Sequence, residues 1–371
     1  MSESPIRFPI GDTPRNQVLS SSPKRDGRLD FLRGLCLVVM TINHLPRMPL
    51  HKLTYETFGY ITAAEGFVLI SGLTAGWIYS RKSTGRILLR CGYLYLVYCL
   101  LTCLLSMQQI VDGSLSYREL LISLAGIRGG SDPAGLLLMY VLLFLVLPIM
   151  LRAFKNGRAP LVLYISFGLW LLGQWRLGYG IGVGYLFSWQ FLFVIGAWFG
   201  YARYRGIELP EFSSLRLLKV AAAAFTIFFF MRHPIIRHPI LALNWQVTSK
   251  EMLGMARLLN VGLLAFLVSR IPPAAEAKWG ELPPFRALRF LGRHSLQVFV
   301  YHALILYAIK PYAAAWGASS VTVQLLITSG VILSLFMPAY VHQCLQSARV
   351  AHGTLWHFMA SRRHRLLNGS T

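Results

Sequence analysis

Negative charge is scarce in this chain. Its 371 residues hold 14 Asp and Glu against 36 Lys and Arg, and charged residues of both signs make up only 13%. A soluble domain is near a quarter charged, so a soluble globular protein is excluded. Cysteine is sparse too: Cys36, Cys91, Cys99, Cys103 and Cys344 lie in or beside apolar segments, without CxxC spacing or histidine partners. A zinc site is excluded, no metal is expected, and the five read as small core hydrophobes. Residues 1–27, rich in Ser, Pro and Arg, lack a hydrophobic core and a small-residue cleavage site. No cleaved signal peptide is expected there, but a disordered cytoplasmic tail. No inverted internal repeat of the transporter type is visible.

What the chain has is apolar surface. It is 55% hydrophobic with a mean hydropathy of +0.53, and its Tyr, Trp and Phe supply rings suited to membrane interfaces. The net charge of +22 is spread in short clusters between apolar runs, which fits cytoplasmic loops and excludes a nucleic-acid groove. Segments near the 20 apolar residues that a spanning helix needs fall at 31–48, 58–79, 87–107, 135–154, 160–175, 186–202, 214–231, 252–270, 293–311 and 321–343. Between the fifth and sixth, RLGYGIGVGY (176–185) reads as a glycine-rich loop or a broken helix. With the N-terminus inside, 26 of the 36 Lys and Arg fall on the cytoplasmic side, nine fall outside, and Arg257 lies within a helix. That asymmetry follows the positive-inside rule. The expected fold is an all-α, polytopic integral membrane protein of about ten transmembrane helices with both termini cytoplasmic. Residues 28–345 form its transmembrane domain, and 346–371 form a basic C-terminal tail.

Ionisable groups inside apolar runs are costly, and they mark function or packing. RLDFLRGLCLVVMTINHL (28–45) carries Arg33 and, eleven positions on, His44. On a helix the two differ by about 20° in angle and stand roughly 16 Å apart along the axis. Asp30 is an i, i+3 partner for Arg33, Asn43 precedes the histidine, and Pro46 soon ends or kinks the helix. Arg33 is equally explained by snorkelling to headgroups; an imidazole is too short for that. The next run holds Glu65, with Gly72 and Gly76 on the same face, where small residues allow close helix approach. A short connection makes these two helices antiparallel, which brings Glu65 toward His44. Arg81, Lys82, Arg86 and Arg90 then cluster at a helix start, fit either to hold phosphates or to face the cytoplasm. Arg257 and Asn260 share the eighth segment at i, i+3. His294, Gln297 and His302 occupy the ninth, where core packing is as good an explanation as function.

LDFLRGLCLVVMTINH resembles the first-helix signature of the membrane acyltransferase-3 family, with an Asp before an Arg-Gly pair and a His after ten intervening residues. ISGLTAG followed by arginines resembles that family's next element. FGYITAAEGFVLISGLTAGWIY and FLGRHSLQVFVYH look most like OpgC proteins, which succinylate osmoregulated periplasmic glucans. Asn43 stands where an Asp is expected, and GRHS where GRNS is more usual. The resemblance implies a multi-pass enzyme of the bacterial inner membrane. It implies no permanently bound cofactor, a cytoplasmic acyl-CoA donor such as succinyl-CoA, and a periplasmic glucan or other glycan acceptor. His44 is then the expected general base, with Glu65 orienting or stabilising it; Arg33, Arg86 and Arg90 are expected to hold CoA phosphates. Asn43, Arg257 and His302 are expected to contact substrate, Arg257 through a succinyl carboxylate. O-acetylation of another surface polysaccharide, or a transporter or flippase built on the same Arg, His and Glu, remains the alternative.

Overall fold

The computed structural model describes residues 26–45, 48–56, 58–126, 134–175, 183–207, 214–232, 245–272 and 278–348. Pro46, the 176–182 part of the glycine-rich stretch and nearly all of both expected tails lie outside the described residues. Those described form helices and connections, with no strand among them.

Each of the ten apolar segments contains a helix. In chain order these are α1 (Gly27–His44), α3 (Ala63–Tyr79), α4 (Thr84–Val111), α6 (Ala134–Lys155), α7 (Ala159–Gln174), α8 (Val183–Arg205), α9 (Leu215–Arg232), α11 (Met255–Ser269), α13 (Ser295–Ile309) and α15 (Val321–Ser334). Shorter helices lie between them: α2 (Pro49–Thr54), α5 (Tyr117–Leu124), α10 (Trp245–Thr248), α12 (Pro283–Arg293) and α14 (Ala313–Gly317). Thr84–Val111, Ala134–Lys155 and Val321–Ala348 are long and apolar enough to cross a membrane by length and composition; Ala63–Tyr79, Ala159–Gln174 and Met255–Ser269 are apolar but shorter.

The helix boundaries follow local chemistry. Asp26 caps α1 by accepting from the Arg28 N–H at 2.9 Å, and Ser116 with Glu119 forms a reciprocal capping box on α5. Between α6 and α7, Gly157 supplies a φ of +74° and Pro160 starts the next helix where its missing N–H costs nothing.

Helix α3 packs on α8 and α1, and α12 packs on α1. The α3–α8 and α1–α12 contacts bring backbone against backbone. A Cβ placed on Gly72 would lie 2.2 Å from the Phe193 carbonyl oxygen, and one on Gly76 would lie 2.0 Å from that of Ala197. The same holds across α1 and α12, where a Cβ on Gly34 would lie 1.9 Å from the Leu288 oxygen and one on Gly292 would lie 1.7 Å from that of Asp30. Phe31 stacks on Phe285 at 4.7 Å beside that crossing. Tyr98, Leu147, Phe193 and Val298 are fully interior, whereas Leu89, Ile149, Leu326 and Leu333 point outward. An outward apolar belt of this kind suits hydrocarbon.

Gly76→Leu should force α3 away from α8 and cost at least about 1–3 kcal/mol. Gly85→Ala, at an open position on α4, should be neutral or stabilising by up to about 1 kcal/mol. Thermal unfolding of the two variants in detergent checks this; equal stability would remove the backbone contact as a determinant.

Candidate active site

Among the described residues two groups of polar side chains stand out in the bundle, and α3 bears on both. The first is a buried ion cluster around Arg257. Its position is set by the 249–254 connection before α11, which three side chains hold from α7 and α8. Trp170 Nε1 donates to the Leu253 carbonyl (3.0 Å), Gln174 Nε2 to that of Met252 (2.6 Å), and Trp189 Nε1 to that of Lys250 (3.2 Å). From there Arg257, 4% exposed, reaches the connection between α2 and α3. Its Nε donates to the Thr248 carbonyl at 2.6 Å. Nη1 donates to Glu65 Oε1 at 3.0 Å and to the Tyr60 carbonyl at 3.3 Å, and Nη2 to Glu56 Oε1. Arg232 at the end of α9 pairs with the other Glu56 oxygen. One turn along α11, Asn260 Nδ2 donates to the Phe58 carbonyl at 2.9 Å.

Glu65 is fully buried. As the third residue of α3 it also closes a capping box, its Oε2 accepting from the Thr62 N–H at 2.9 Å and from the Thr62 hydroxyl. The contacts found on both oxygens of Glu65 are thus with Thr62 and Arg257. Glu56, equally buried, sits at φ +54°, a left-handed conformation for a non-glycine residue. Its two ion pairs hold that backbone.

The second group surrounds a cavity of about 700 Å³ at the end of the bundle where α1 begins and α3 finishes. Arg33, Lys82, Arg90 and Arg293 supply four cations to its wall, and Tyr79, Tyr93, Gln297 and His342 add polar and aromatic groups. Lys82 lies 5.0 Å above the Tyr79 ring and Arg90 5.4 Å above that of Tyr93. Deeper in, the lining turns apolar with Phe67, Leu94, Leu137, Phe144 and Phe299, relieved by Ser71 and Tyr140, whose hydroxyls are 3.3 Å apart. His342 Nδ1 is 2.8 Å from His294 Nδ1, which joins the Val321–Ala348 segment to the α12–α13 junction.

Phe67 and Phe299 stack at 6.3 Å across the inner end of the cavity. The Phe299 ring is also 5.1 Å from that of His302, and the His302 ring is 5.6 Å from that of His44, the last residue of α1. His44 is exposed, while His302 is completely buried.

The family model described as OpgC protein matches residues 25–132 and 121–347, most of the chain. This protein belongs to the OpgC family. No curated protein and no solved structure matches it. OpgC membership together with the apolar helices supports a membrane protein with an OpgC-like acyltransferase role.

Of the residues singled out in the sequence, Arg33 and Arg90 share the cavity, and Arg86 is exposed outside its lining. His44 and His302 form a ring pair. Glu65 and Arg257 meet each other. Asn43 accepts from the Thr54 hydroxyl at 2.6 Å, which ties α1 to α2. Asp30 faces Arg293 at 3.7 Å. Gly72 and Gly76 lie against α8. Glu56, Tyr140, Arg293 and Phe299 were not legible as site residues. Glu56 lies outside any helix, and the other three carry no spacing signal that separates them from ordinary packing or loop charge.

Arg257→Met should leave the buried Glu65 carboxylate without its cation and Glu56 with Arg232 alone, and cost about 3–5 kcal/mol. Adding Glu56→Gln and Glu65→Gln to that variant should recover part of the loss. Unfolding in detergent measures both, and a stable single variant would mean that the cluster is not a paired unit.

Proposed function

We propose that this protein crosses the inner membrane ten times with both termini cytoplasmic, and transfers a succinyl group from cytoplasmic succinyl-CoA to hydroxyls of a periplasmic glucan. The observation that carries this is the axis from the four-cation cavity, past the Phe67–Phe299 partition, to an exposed histidine. Positive-inside counting supports a cytoplasmic position for the cavity. There Arg33, Lys82, Arg90 and Arg293 would hold the nucleotide phosphates, for which clustered cations and bidentate guanidinium groups are suited. The apolar inner wall would take the pantetheine arm. Arg86, outside the cavity, would contribute to the field that draws an anionic donor in.

Arg33 and His44 are fixed to one helix, roughly 16 Å apart along its axis. In the proposed reaction the glucan hydroxyl oxygen attacks the thioester carbonyl carbon while His44 takes the hydroxyl proton. The carbon–sulfur bond then breaks, the ester stays on the glucan, and the imidazolium returns the proton to the departing sulfur, giving free CoA thiol. A neutral imidazole near pH 7 suits this task, and general-base catalysis of this kind contributes about 10² to 10⁴ fold. Glu65 acts here at one remove: it anchors Arg257 and the start of α3 and so shapes the outer end of the passage. Arg257, with its donors committed to Glu56, Glu65 and two carbonyls, is assigned the same architectural part. Asn43 positions α2 near His44.

His44→Ala should leave a folded membrane protein that no longer adds succinyl groups to periplasmic glucan, read by mass spectrometry of the glucan. Arg33→Ala should raise KM for succinyl-CoA at least about tenfold, as loss of a charge-assisted contact of 1.5–3 kcal/mol implies. Glucan still substituted in the histidine variant, or an unchanged donor KM in the arginine variant, would count against the corresponding role.

A further inference from the structure

Buried polar atoms are nearly always hydrogen-bonded, and those left over call for a physical reason. His302 presents such a case. It is 0% exposed in the middle of α13, and its Nδ1 is 2.7 Å from the Phe299 carbonyl oxygen. A carbonyl only accepts, so Nδ1 carries the proton and donates it. In the neutral ring Nε2 is then a bare lone pair. That nitrogen has no hydrogen-bond partner among the described residues. The ring contacts of His302 are with Phe299, already used through its carbonyl, and with His44 at 5.6 Å and an interplanar angle of 35°. Total burial prevents His302 from touching a glycan directly, whereas His44 is open.

We propose that His302 is a positioning residue for His44: its tautomer is locked by the Phe299 carbonyl, and its unsatisfied Nε2 lone pair is the acceptor that the neighbouring His44 imidazole meets with an N–H when it turns into its reactive position. This rests on the reading of His44 as general base. A histidine with one nitrogen held as a donor keeps its other nitrogen as the base, so the partner chooses which atom meets the incoming hydroxyl. The arrangement resembles the orienting member of a triad, with a neutral imidazole in place of a carboxylate. A neutral acceptor needs no counter-charge where charge is costly. It also ties the base to Phe299, whose ring forms the inner wall of the cavity.

The experiment uses the full-length protein in proteoliposomes, with succinyl-CoA as donor and unsubstituted periplasmic glucan as acceptor. His302→Phe should lower kcat on the order of tenfold or more, a part of what general-base catalysis contributes, with donor KM unchanged. His302→Gln, which places an amide oxygen near the Nε2 position, should recover much of that loss. The acidic limb of the kcat profile should move to lower pH in His302→Phe, because the lost acceptor stabilises protonated His44. A readout that needs no turnover keeps two failures apart. In ¹⁵N-histidine spectra, with His44 assigned by its loss in His44→Ala, the wild type should show one His44 tautomer and His302→Phe a mixture. An unchanged tautomer, or His302→Phe with wild-type kcat and pH profile, overturns the pairing. If the tautomer shifts but His44→Ala keeps its activity, the pairing stands and the general-base assignment falls. Should His302→Phe fail to fold, a His302→Gln protein with mixed His44 tautomers overturns the proposal, and one with a single tautomer supports it.

Discussion

A guanidinium cannot be buried without partners, and among the described residues Arg257, 4% exposed, is the group on which that constraint falls hardest. Its solution is to gather two carboxylates and two carbonyls from segments far apart in the chain. Glu56 comes from the connection after α2, Glu65 from the first turn of α3, and Arg232 adds a second cation from α9. Charge neutrality here is obtained only when the segments are correctly assembled. The cluster therefore sets where α3 begins, and with it the depth of Phe67, Ser71 and Ala75 on the cavity wall. A buried ion pair adds little net stability over apolar packing, but breaking it is expensive. Its contribution is to make one arrangement of these loops far better than its neighbours.

Much of the helical architecture was legible in the sequence. All ten apolar segments hold helices, because a long apolar run leaves the backbone few other ways to satisfy its hydrogen bonds. The first helix also showed its face: Arg33 and His44 could be placed on one line from the 3.6-residue period alone. Gly72 and Gly76 could be read as a close helix contact, though not that α8 was the partner. Short elements were illegible for the opposite reason. Helix α12 is amphipathic and basic, and α2 is a single turn and a half, so neither carries an apolar run long enough to register.

The site was legible in its parts and not in its pairing. Glu65 and Arg257 each stood out as charges in apolar surroundings, yet nothing in a linear chain says that residues 192 positions apart share a hydrogen bond. The expected link from Glu65 to His44 gave way to a capping box and an ion pair, both set by the geometry of the α3 start. In the same way His302 looked like a core histidine or a substrate contact, and only its locked Nδ1 and its neighbour on α1 give it a distinct place. Phe299 has no chemical signal at all; it both lines the cavity and lies 5.1 Å from the His302 ring.

The glycine contacts between α1 and α12 have a mechanical consequence. With Gly34 against the Leu288 carbonyl and Gly292 against that of Asp30, the two backbones touch at these points, and with Phe31 stacked on Phe285 beside them α12 cannot slide without dragging α1. The rim arginine at position 293 and the terminal histidine at 44 are thereby borne on a single stiff frame. Such a frame behaves as a gauge of fixed span. Under the proposed reaction, a thioester whose arm is too short for that span would stop below the imidazole, and one whose arm is too long would buckle against the aromatic rings, so reach itself would become a criterion of selection alongside charge.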